Sequence, residues 1–154
     1  MAEDTPSKPA TPPIAIAVFD IDGVVRDVSG SYRRALADTV EQFTGQLSTA
    51  YRPKVTDIDQ LKGEGLWNND WEASRELIYR HLERQGHDRA QCPMDYDQLV
   101  AFFQSRYRGY GDDPAAWEGY ITQEPLLMTA AYLPSLTQNK IAWGFFSGAM
   151  RDEA

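Results

Sequence analysis

One stretch near the start of the chain constrains the fold most. Ile14 to Phe19 is an unbroken apolar run rich in Ile and Val, and Asp20, Asp22 and Gly23 follow it directly. Such a run predicts a strand buried on both faces, as in a parallel sheet. Because open α/β sheets bind ligands at the carboxyl ends of their strands, the two acids are predicted to lie at a site.

Asp20 and Asp22 are carboxylates separated by one residue, so they point to the same side if the strand continues. Two carboxylates so close together repel each other unless a cation lies between them or one of them holds a proton. The pair therefore favours a site for a hard metal ion and for acid–base chemistry. The alternative is a solvated turn whose acids have no role, and the Asp-x-Asp-Gly motif alone does not decide between the two.

The context of the motif adds a resemblance to a known family. The hydrophobic strand followed by the segment Asp20 to Val25 resembles the first motif of the haloacid dehalogenase (HAD) superfamily of phosphatases and related hydrolases. A second strand, Lys140 to Phe146, ends in Ser147 and Gly148 and resembles the second motif of that family. A long helical segment separates the motifs, as in the phosphoglycolate-phosphatase-like subfamily, which carries a helical cap there.

Two shorter segments extend the resemblance to a little-studied cyanobacterial and plant branch of the family. These segments are Ser31 to Ala35 and Asn69 to Trp71. The resemblance as a whole spans about Ile14 to Ala149. It implies an α/β fold, in which an incomplete Rossmann-like HAD core of two motif strands carries an inserted α-helical cap.

The resemblance implies a role for each motif residue. Asp20 would be the nucleophile that forms an aspartyl-phosphate, and Asp22 the general acid and base. Mg²⁺ would be held by the Asp20 carboxylate and the backbone carbonyl of Asp22. Ser147 and the amide of Gly148 would bind the phosphate of a small phosphorylated metabolite. Dehalogenases lack the second Asp, so phosphoryl transfer is expected, and phosphatase and phosphomutase activity both remain open.

The end of the sequence departs from the family pattern. The family carries a Lys and then an acidic pair downstream of the motif Ser, and this chain ends at Ala154, soon after Ser147. We therefore expect a C-terminally truncated form of a longer enzyme, with impaired or absent activity. The alternatives are a catalytically inactive fragment that binds a ligand and, from the helices alone, a helical interaction module.

The predicted elements divide the chain into three parts. Residues 1–13 are rich in Pro, Thr, Ser and Ala and are expected to form a disordered tail, 14–26 and 124–154 a partial core, and 27–123 the helical cap. Only two core strands are present, so unpaired edges and uncovered apolar faces are expected. Helices are predicted from the N-cap Ser31 to Gly45, within 53–63 with Thr56 as N-cap, and over 71–85 with Asp70 as N-cap. Further helices are predicted over 96–107 and 125–138, and another is predicted to begin at Asp113-Pro114.

Residues of the predicted helical cap are candidates for binding the substrate. Arg33, Asn69 and Trp71 are predicted to line the substrate chamber, and Arg34, Trp67 and Asp70 are weaker candidates, because glycines beside aromatic and amide side chains suit a recognition loop. The structural alternative makes Trp67 and Trp71 core anchors, Asp70 a helix cap and Arg33 a solvated residue.

Composition excludes several classes of partner. The net charge of −8 argues against nucleic acid and against anionic membrane surfaces, since both attract basic patches. No apolar run approaches the ~18 residues of a membrane span, and no secretory signal is evident. Cys92 is the single cysteine, so no disulfide framework forms within the chain. We expect a cytoplasmic protein.

Overall fold

The computed structural model describes residues 14–148. The predicted tail and the last predicted core residues, 149–154, lie outside the described residues. Between them the chain forms strand β1 (Ala15–Asp20), helices α1 (Tyr32–Leu47), α2 (Val55–Lys62), α3 (Asp70–Arg84), α4 (Tyr96–Tyr107) and α5 (Tyr132–Gln138), and strand β2 (Ile141–Phe146). The predicted α/β class is confirmed, and the arrangement is compatible with part of a Rossmann-like fold.

The two strands form a parallel pair. The register runs from Ala15 opposite Ile141 to Asp20 opposite Phe146, so both carboxyl ends meet at one edge. Helix α5 packs against β2, and the rings of Phe19 and Tyr132 meet edge to face with their centroids 6.0 Å apart. The sequence prediction of both strands is confirmed to within a residue.

The prediction that β1 is buried on both faces is wrong for the described residues. Ile16 is 73% exposed and Val18 is 64% exposed, whereas Phe19, on the opposite face, is half-buried. The physical reason is that one short helix covers one face of a two-stranded sheet. The other face of β1 meets no layer of the described chain, as expected for a core of two strands.

Helices α1 to α4, called the bundle below, enclose the hydrophobic core. Its fully buried members include Leu36 and Val40 of α1, Ile78 of α3 and Leu99 of α4. Burying each such side chain contributes about 1.5–3 kcal/mol. The buried hydroxyl of Thr39 donates to the carbonyl of Ala35 at 2.8 Å, so it carries no unpaired polar group into the core.

Two predicted N-caps are wrong. Helix α2 follows Lys54 and not Thr56, and the Asp57 carboxylate accepts the Lys54 amide at 2.8 Å, which fixes the first turn. Helix α3 follows Asn69 and not Asp70: the Asn69 Oδ1 accepts the amides of Trp71 at 2.9 Å and Glu72 at 3.0 Å. In each case the true start lies one or two residues earlier than the predicted cap.

Other predicted helix boundaries also shift. Helix α1 continues past Gly45 to Leu47, because Gly45 keeps a negative φ and does not turn the chain. The predicted start at Asp113-Pro114 forms only a short 3₁₀ turn, Pro114–Ala116. The last helix begins at Tyr132 and not at 125, because residues 125–127 bond to the segment after the Asp motif instead.

Candidate active site

Asp20 and Ser147 lie at the same edge of the sheet. Asp20 closes β1 opposite Phe146, and Ser147 follows Phe146 directly. The exposed Asp20 carboxylate accepts the Ile21 amide at 2.8 Å. Beyond it, Gly23 turns the chain with a φ of +76°, a conformation that L side chains rarely adopt, and its amide donates to the Arg26 carbonyl at 2.9 Å. This turn places Asp22 beyond the sheet edge.

A cleft of about 800 Å³ separates this edge from the bundle. Its sheet side is formed by Asp22, Gly23, Gly148 and the segment 27–29. Its bundle side is formed by Tyr32, Arg33, Lys62, Asn68, Asn69, Asp70, Trp71, Phe103, Gln104 and Tyr107. The volume lies within the range of ~300–1,000 Å³ that is usual for small-molecule sites.

The cleft brings predicted motif residues and predicted recognition residues together. Asp22 and Gly148 line it from the sheet, and Arg33, Asn69 and Trp71 line it from the bundle. Asp20 and Ser147 are not part of the lining, although they adjoin Ile21 and Gly148 at the same edge. The chemical roles of all these residues stay predictions.

Asp22 is linked through Arg26 to Glu124, which is not part of the cleft lining. Arg26 Nη2 lies 3.5 Å from Asp22 Oδ1, and Arg26 Nε lies 3.1 Å from Glu124 Oε2. The Glu124 side chain is only 2% exposed, and it also accepts a hydrogen bond from the buried Ser31 hydroxyl. Burial raises the pKa of Glu124, although the Ser31 hydrogen bond and the Arg26 charge act in the opposite direction.

Sequence reasoning missed Glu124. It lies at the predicted boundary between cap and core, outside any periodic helix or strand, and its partners Arg26 and Ser31 belong to a distant part of the chain. A carboxylate directly before Pro125, where the chain turns back towards the sheet, is the only local signal. The pairing therefore becomes visible only once the fold is known.

Two segments beside Glu124 join the sheet to the bundle, and they bond to each other. The Asp27 amide donates to the Pro125 carbonyl at 2.9 Å, and the Leu127 amide donates to the Val25 carbonyl at 2.8 Å. Asp27 also accepts from Ser29, which lowers the pKa of the Asp27 carboxyl. The two linkers, 24–28 and 124–127, thus form one hydrogen-bonded junction.

The cations on the bundle side of the cleft already have anionic partners. Lys62 Nζ lies 2.6 Å from Asp70 Oδ1 and 5.2 Å from the centre of the Tyr32 ring. Arg33 forms an ion pair with Asp59, and its Nε donates to the Tyr32 hydroxyl at 3.0 Å. Arg33 is therefore not the solvated residue of the structural alternative, and Asp70 pairs with Lys62 instead of capping α3.

The remaining recognition candidates lie in different places. Trp71 is half-buried against the core, as the structural alternative predicts, and it also lines the cleft, where its role in binding stays a prediction. Trp67 packs against the core outside the cleft lining, and its Nε1 donates to Glu64 at 2.9 Å. Arg34 lies over the Tyr120 ring, 4.0 Å from its centre, and is also outside the lining.

The donor set at the sheet edge fits a hard cation that keeps most of its water. Among residues 14–148 there is no group of three or more His, Cys, Asp or Glu side chains placed to hold a metal ion. The Asp20 carboxylate is exposed, and no backbone amide of the described residues donates to the Asp22 carbonyl. Mg²⁺ in proteins is commonly bound by one or two carboxylates plus several waters, so these two oxygens suit it.

Comparison with known proteins supports the fold. The solved structure of phosphatase Tt82 from Thermococcus thioreducens matches with a TM-score of 0.60 and 19% sequence identity, over 88% of this chain and 63% of that one. At this identity the similarity shows a shared fold and nothing finer. No protein-family model matches the chain.

A sequence relative carries a different enzyme name. Imidazoleglycerol-phosphate dehydratase of Phytophthora nicotianae is 32% identical over 100 residues, which is 65% of this chain. The match spans only 20% of the length of that protein. Separately, no helix in the part of the chain that the structure describes is long and apolar enough to cross a membrane.

Proposed function

We propose that this chain is a HAD-type hydrolase, a Mg²⁺-dependent phosphatase of a small phosphorylated metabolite, and that the bundle acts as its helical cap. The observation that carries the proposal is the cleft itself. One side of it holds Asp22 and Gly148 from the two motif segments, and the other holds Arg33, Asn69 and Trp71. The fold shared with a phosphatase agrees with this proposal.

The proposed reaction has two steps. An Asp20 carboxylate oxygen attacks phosphorus, the bond to the ester oxygen breaks, and Asp22 gives its proton to the departing alkoxide. Asp22 then takes a proton from the water that attacks the aspartyl-phosphate, which releases inorganic phosphate and restores Asp20. The exposed position of Asp20 leaves its carboxylate accessible to the phosphoryl group.

Other groups hold the phosphate in place. Ser147 and the Gly148 amide lie after β2, where they would donate hydrogen bonds to the phosphate oxygens. Mg²⁺, held by the Asp20 carboxylate and the Asp22 carbonyl, would offset the repulsion between the nucleophile and the phosphate. The bundle side of the cleft would exclude water from the reacting groups.

The first test is Mg²⁺-dependent release of phosphate from para-nitrophenyl phosphate. Asp20→Asn should abolish turnover, because a neutral amide is a poor nucleophile, and Asp22→Asn should lower kcat/KM by about a hundredfold or more. Asp97→Asn, which changes an exposed acid of α4, serves as the matched control and should behave as the parent does. Phosphatase activity retained by Asp20→Asn would exclude the nucleophile role.

The main alternative is a catalytically inactive protein that binds the same ligands. It predicts no turnover by the parent chain, together with Mg²⁺-dependent shifts of the Gly148 amide resonance when inorganic phosphate is added. The name of the sequence relative gives a second candidate, dehydration of imidazoleglycerol phosphate. Incubation with that compound separates the two activities, because a phosphatase releases inorganic phosphate and a dehydratase releases water and keeps the ester.

A further inference from the structure

The bundle side of the cleft is polar but carries almost no unbalanced charge. Lys62 is paired with Asp70 at 2.6 Å, and Arg33 is paired with Asp59. The sheet side adds the negative charges of Asp22 and Asp27. A carboxylate on the substrate, in addition to its phosphate, would have to compete with Asp70 for Lys62 while facing those acids, so the cleft disfavours leaving groups that carry a negative charge.

The polar groups of this side suit hydroxyls instead. The Lys62 ammonium has three donors, and it reaches Asp70 and, at 3.3 Å, the Asn68 carbonyl. The amide side chains of Asn69 and Gln104 lie on the same wall, and because the Asn69 Oδ1 already accepts the Trp71 and Glu72 amides, Asn69 offers only its Nδ2 donors. The Oε1 of Gln104 is buried and has no hydrogen-bond partner within residues 14–148, so a ligand hydroxyl that donated to it would remove a desolvation cost.

Aromatic rings supply the remaining surface of this wall. Tyr32 and Trp71 both line the cleft, and each is half-buried. Such rings offer apolar faces to the C–H groups of a hydroxylated chain or ring, while their positions are fixed by packing against the bundle core. Apolar faces with a few placed polar groups are the usual composition of a small-molecule site.

We propose that the bundle wall formed by Tyr32, Lys62, Asp70 and Gln104 binds hydroxyl groups of the alcohol that carries the phosphate. The substrates are then phosphate esters of polyols or sugars, and not esters of hydroxy acids. A hydroxyl both donates and accepts, so it joins the Lys62–Asp70 pair without adding charge. The inference rests on the proposed function only for the placement of the phosphate at the sheet edge.

The test is a binding experiment on the whole 154-residue chain, labelled with ¹⁵N, in the presence of Mg²⁺. The ligands are sorbitol 6-phosphate, phosphoglycolate and inorganic phosphate. The Trp71 indole resonance reports on the cleft, and that of Trp117, which lies under Arg108 outside the cleft lining, is the internal control. Sorbitol 6-phosphate should shift Trp71 with a Kd at least about fivefold lower than each other ligand, the effect of one net hydrogen bond.

Two variants separate binding of the ligand hydroxyls from a general loss of folding. Lys62→Gln should weaken sorbitol 6-phosphate about fivefold, whereas Lys54→Gln, an exposed lysine outside the cleft, should leave its Kd unchanged. Asp70→Asn releases Lys62 from its partner, so it should tighten phosphoglycolate and weaken sorbitol 6-phosphate. That exchange of preference is an effect which loss of folding does not produce.

The outcomes distinguish this inference from the proposed function. Phosphoglycolate binding as tightly as sorbitol 6-phosphate overturns the inference, while hydrolysis of para-nitrophenyl phosphate keeps the proposed function. Shifts of Trp71 by sorbitol 6-phosphate with neither hydrolysis nor a shift at Gly148 uphold the hydroxyl site and reject the phosphatase. A Trp71 resonance that no ligand moves also overturns the inference.

Discussion

The bundle and the two-stranded sheet bury their apolar side chains to very different extents. Leu36 of α1 is fully buried, whereas Ile16 of β1 is 73% exposed and Leu126, in the linker that leads to the sheet, is 72% exposed. The predicted chemistry is nonetheless attached to the poorly covered part, at the carboxyl ends of β1 and β2. Most of the stability of the described chain therefore resides in the bundle, which provides one wall of the cleft but none of the predicted catalytic residues.

The sheet and the bundle are connected by the junction of the two linkers. Its backbone hydrogen bonds and the Arg26–Glu124 pair tie residues 24–28 to residues 124–127. Both linkers lead from the sheet to the bundle, so their pairing forms one shared connection between the two regions. A sheet with little burial of its own is thus held against the bundle by a few polar contacts.

The largest predicted difference comes from matched leucine truncations. Leu36→Ala should lower the free energy of unfolding by about 2–5 kcal/mol, because it leaves a cavity in the bundle core. Leu126→Ala should change it by less than about 0.5 kcal/mol, since the side chain is mostly in water. Urea denaturation followed by circular dichroism measures both. Equal effects would mean that the exposed face beside the sheet is covered in solution.

A pair of glycines gives the next largest contrast. A Cβ at Gly119 would lie 2.3 Å from the Tyr107 carbonyl oxygen, whereas a Cβ at Gly144 of β2 would meet nothing within 4 Å among the described atoms. Gly119→Ala should therefore cost about 1–3 kcal/mol by forcing the backbone apart, and Gly144→Ala should cost nothing measurable. Thermal unfolding of both variants tests this, and a stable Gly119→Ala variant would contradict the close packing of α4 on the turn that follows.

The features of the sheet and of the bundle that depend on local sequence patterns were predicted from the sequence. The apolar run before Asp20, the Asp-x-Asp-Gly turn and the 3.6-residue periodicity of α1 and α4 each identify an element without reference to the rest of the chain. The exposure of Ile16 was not predicted from the run itself, because an apolar sequence reports what a strand can bury and not what covers it.

The site was predictable to a similar extent. The strand-end acids and the bundle candidates were proposed from motifs, and the fold brings Asp22 into one cleft with Arg33, Asn69, Asp70 and Trp71, while Asp20 lies outside the lining at the same sheet edge. The Lys62–Asp70 pair and Glu124 were not found, because an ion pair between separate elements has no sequence spacing of its own. Asn69 lines the cleft and its role in binding stays a prediction, whereas the capping of α3 was wrongly assigned to Asp70, one residue away, as is common at helix ends.

At the junction, removing the cation should matter more than neutralising the acid. Arg26→Met leaves Glu124 charged and buried without its partner, which should cost about 1–3 kcal/mol at neutral pH. Glu124→Gln should cost less, because an amide keeps the Ser31 hydrogen bond and carries no burial penalty for charge. Chemical denaturation at pH 7 compares the two variants, and a larger loss in Glu124→Gln would contradict this order.

The pH dependence of the same pair has a definite sign. The folded pKa of Glu124 is raised above its usual value of 4.5, so its contribution to stability is fully present below pH 4.5 and is lost as the pH rises through the folded pKa. In Glu124→Gln this decline should be absent. Measuring the unfolding free energy from pH 4 to 8 for parent and variant isolates the slope, and identical profiles would mean that Glu124 is solvated.

The smallest predicted effect lies on the bundle surface beside the cleft. Glu64 accepts from Arg80 Nη1 at 2.6 Å, Arg80 Nη2 at 2.8 Å and Trp67 Nε1 at 2.9 Å, and these hydrogen bonds lower the pKa of Glu64 to about 2. A lowered folded pKa gives stability that is present above the unfolded value of 4.5 and is lost as the pH falls towards 2.

Glu64→Gln should therefore lower the Tm slightly at pH 6, because exposed ion pairs contribute little, and the difference should vanish near pH 2. Glu118→Gln, at another exposed glutamate, is the control and should match the parent at both pH values. A difference between Glu64→Gln and the parent that stays constant down to pH 2 would show that Glu64 acts through packing and not through its charge.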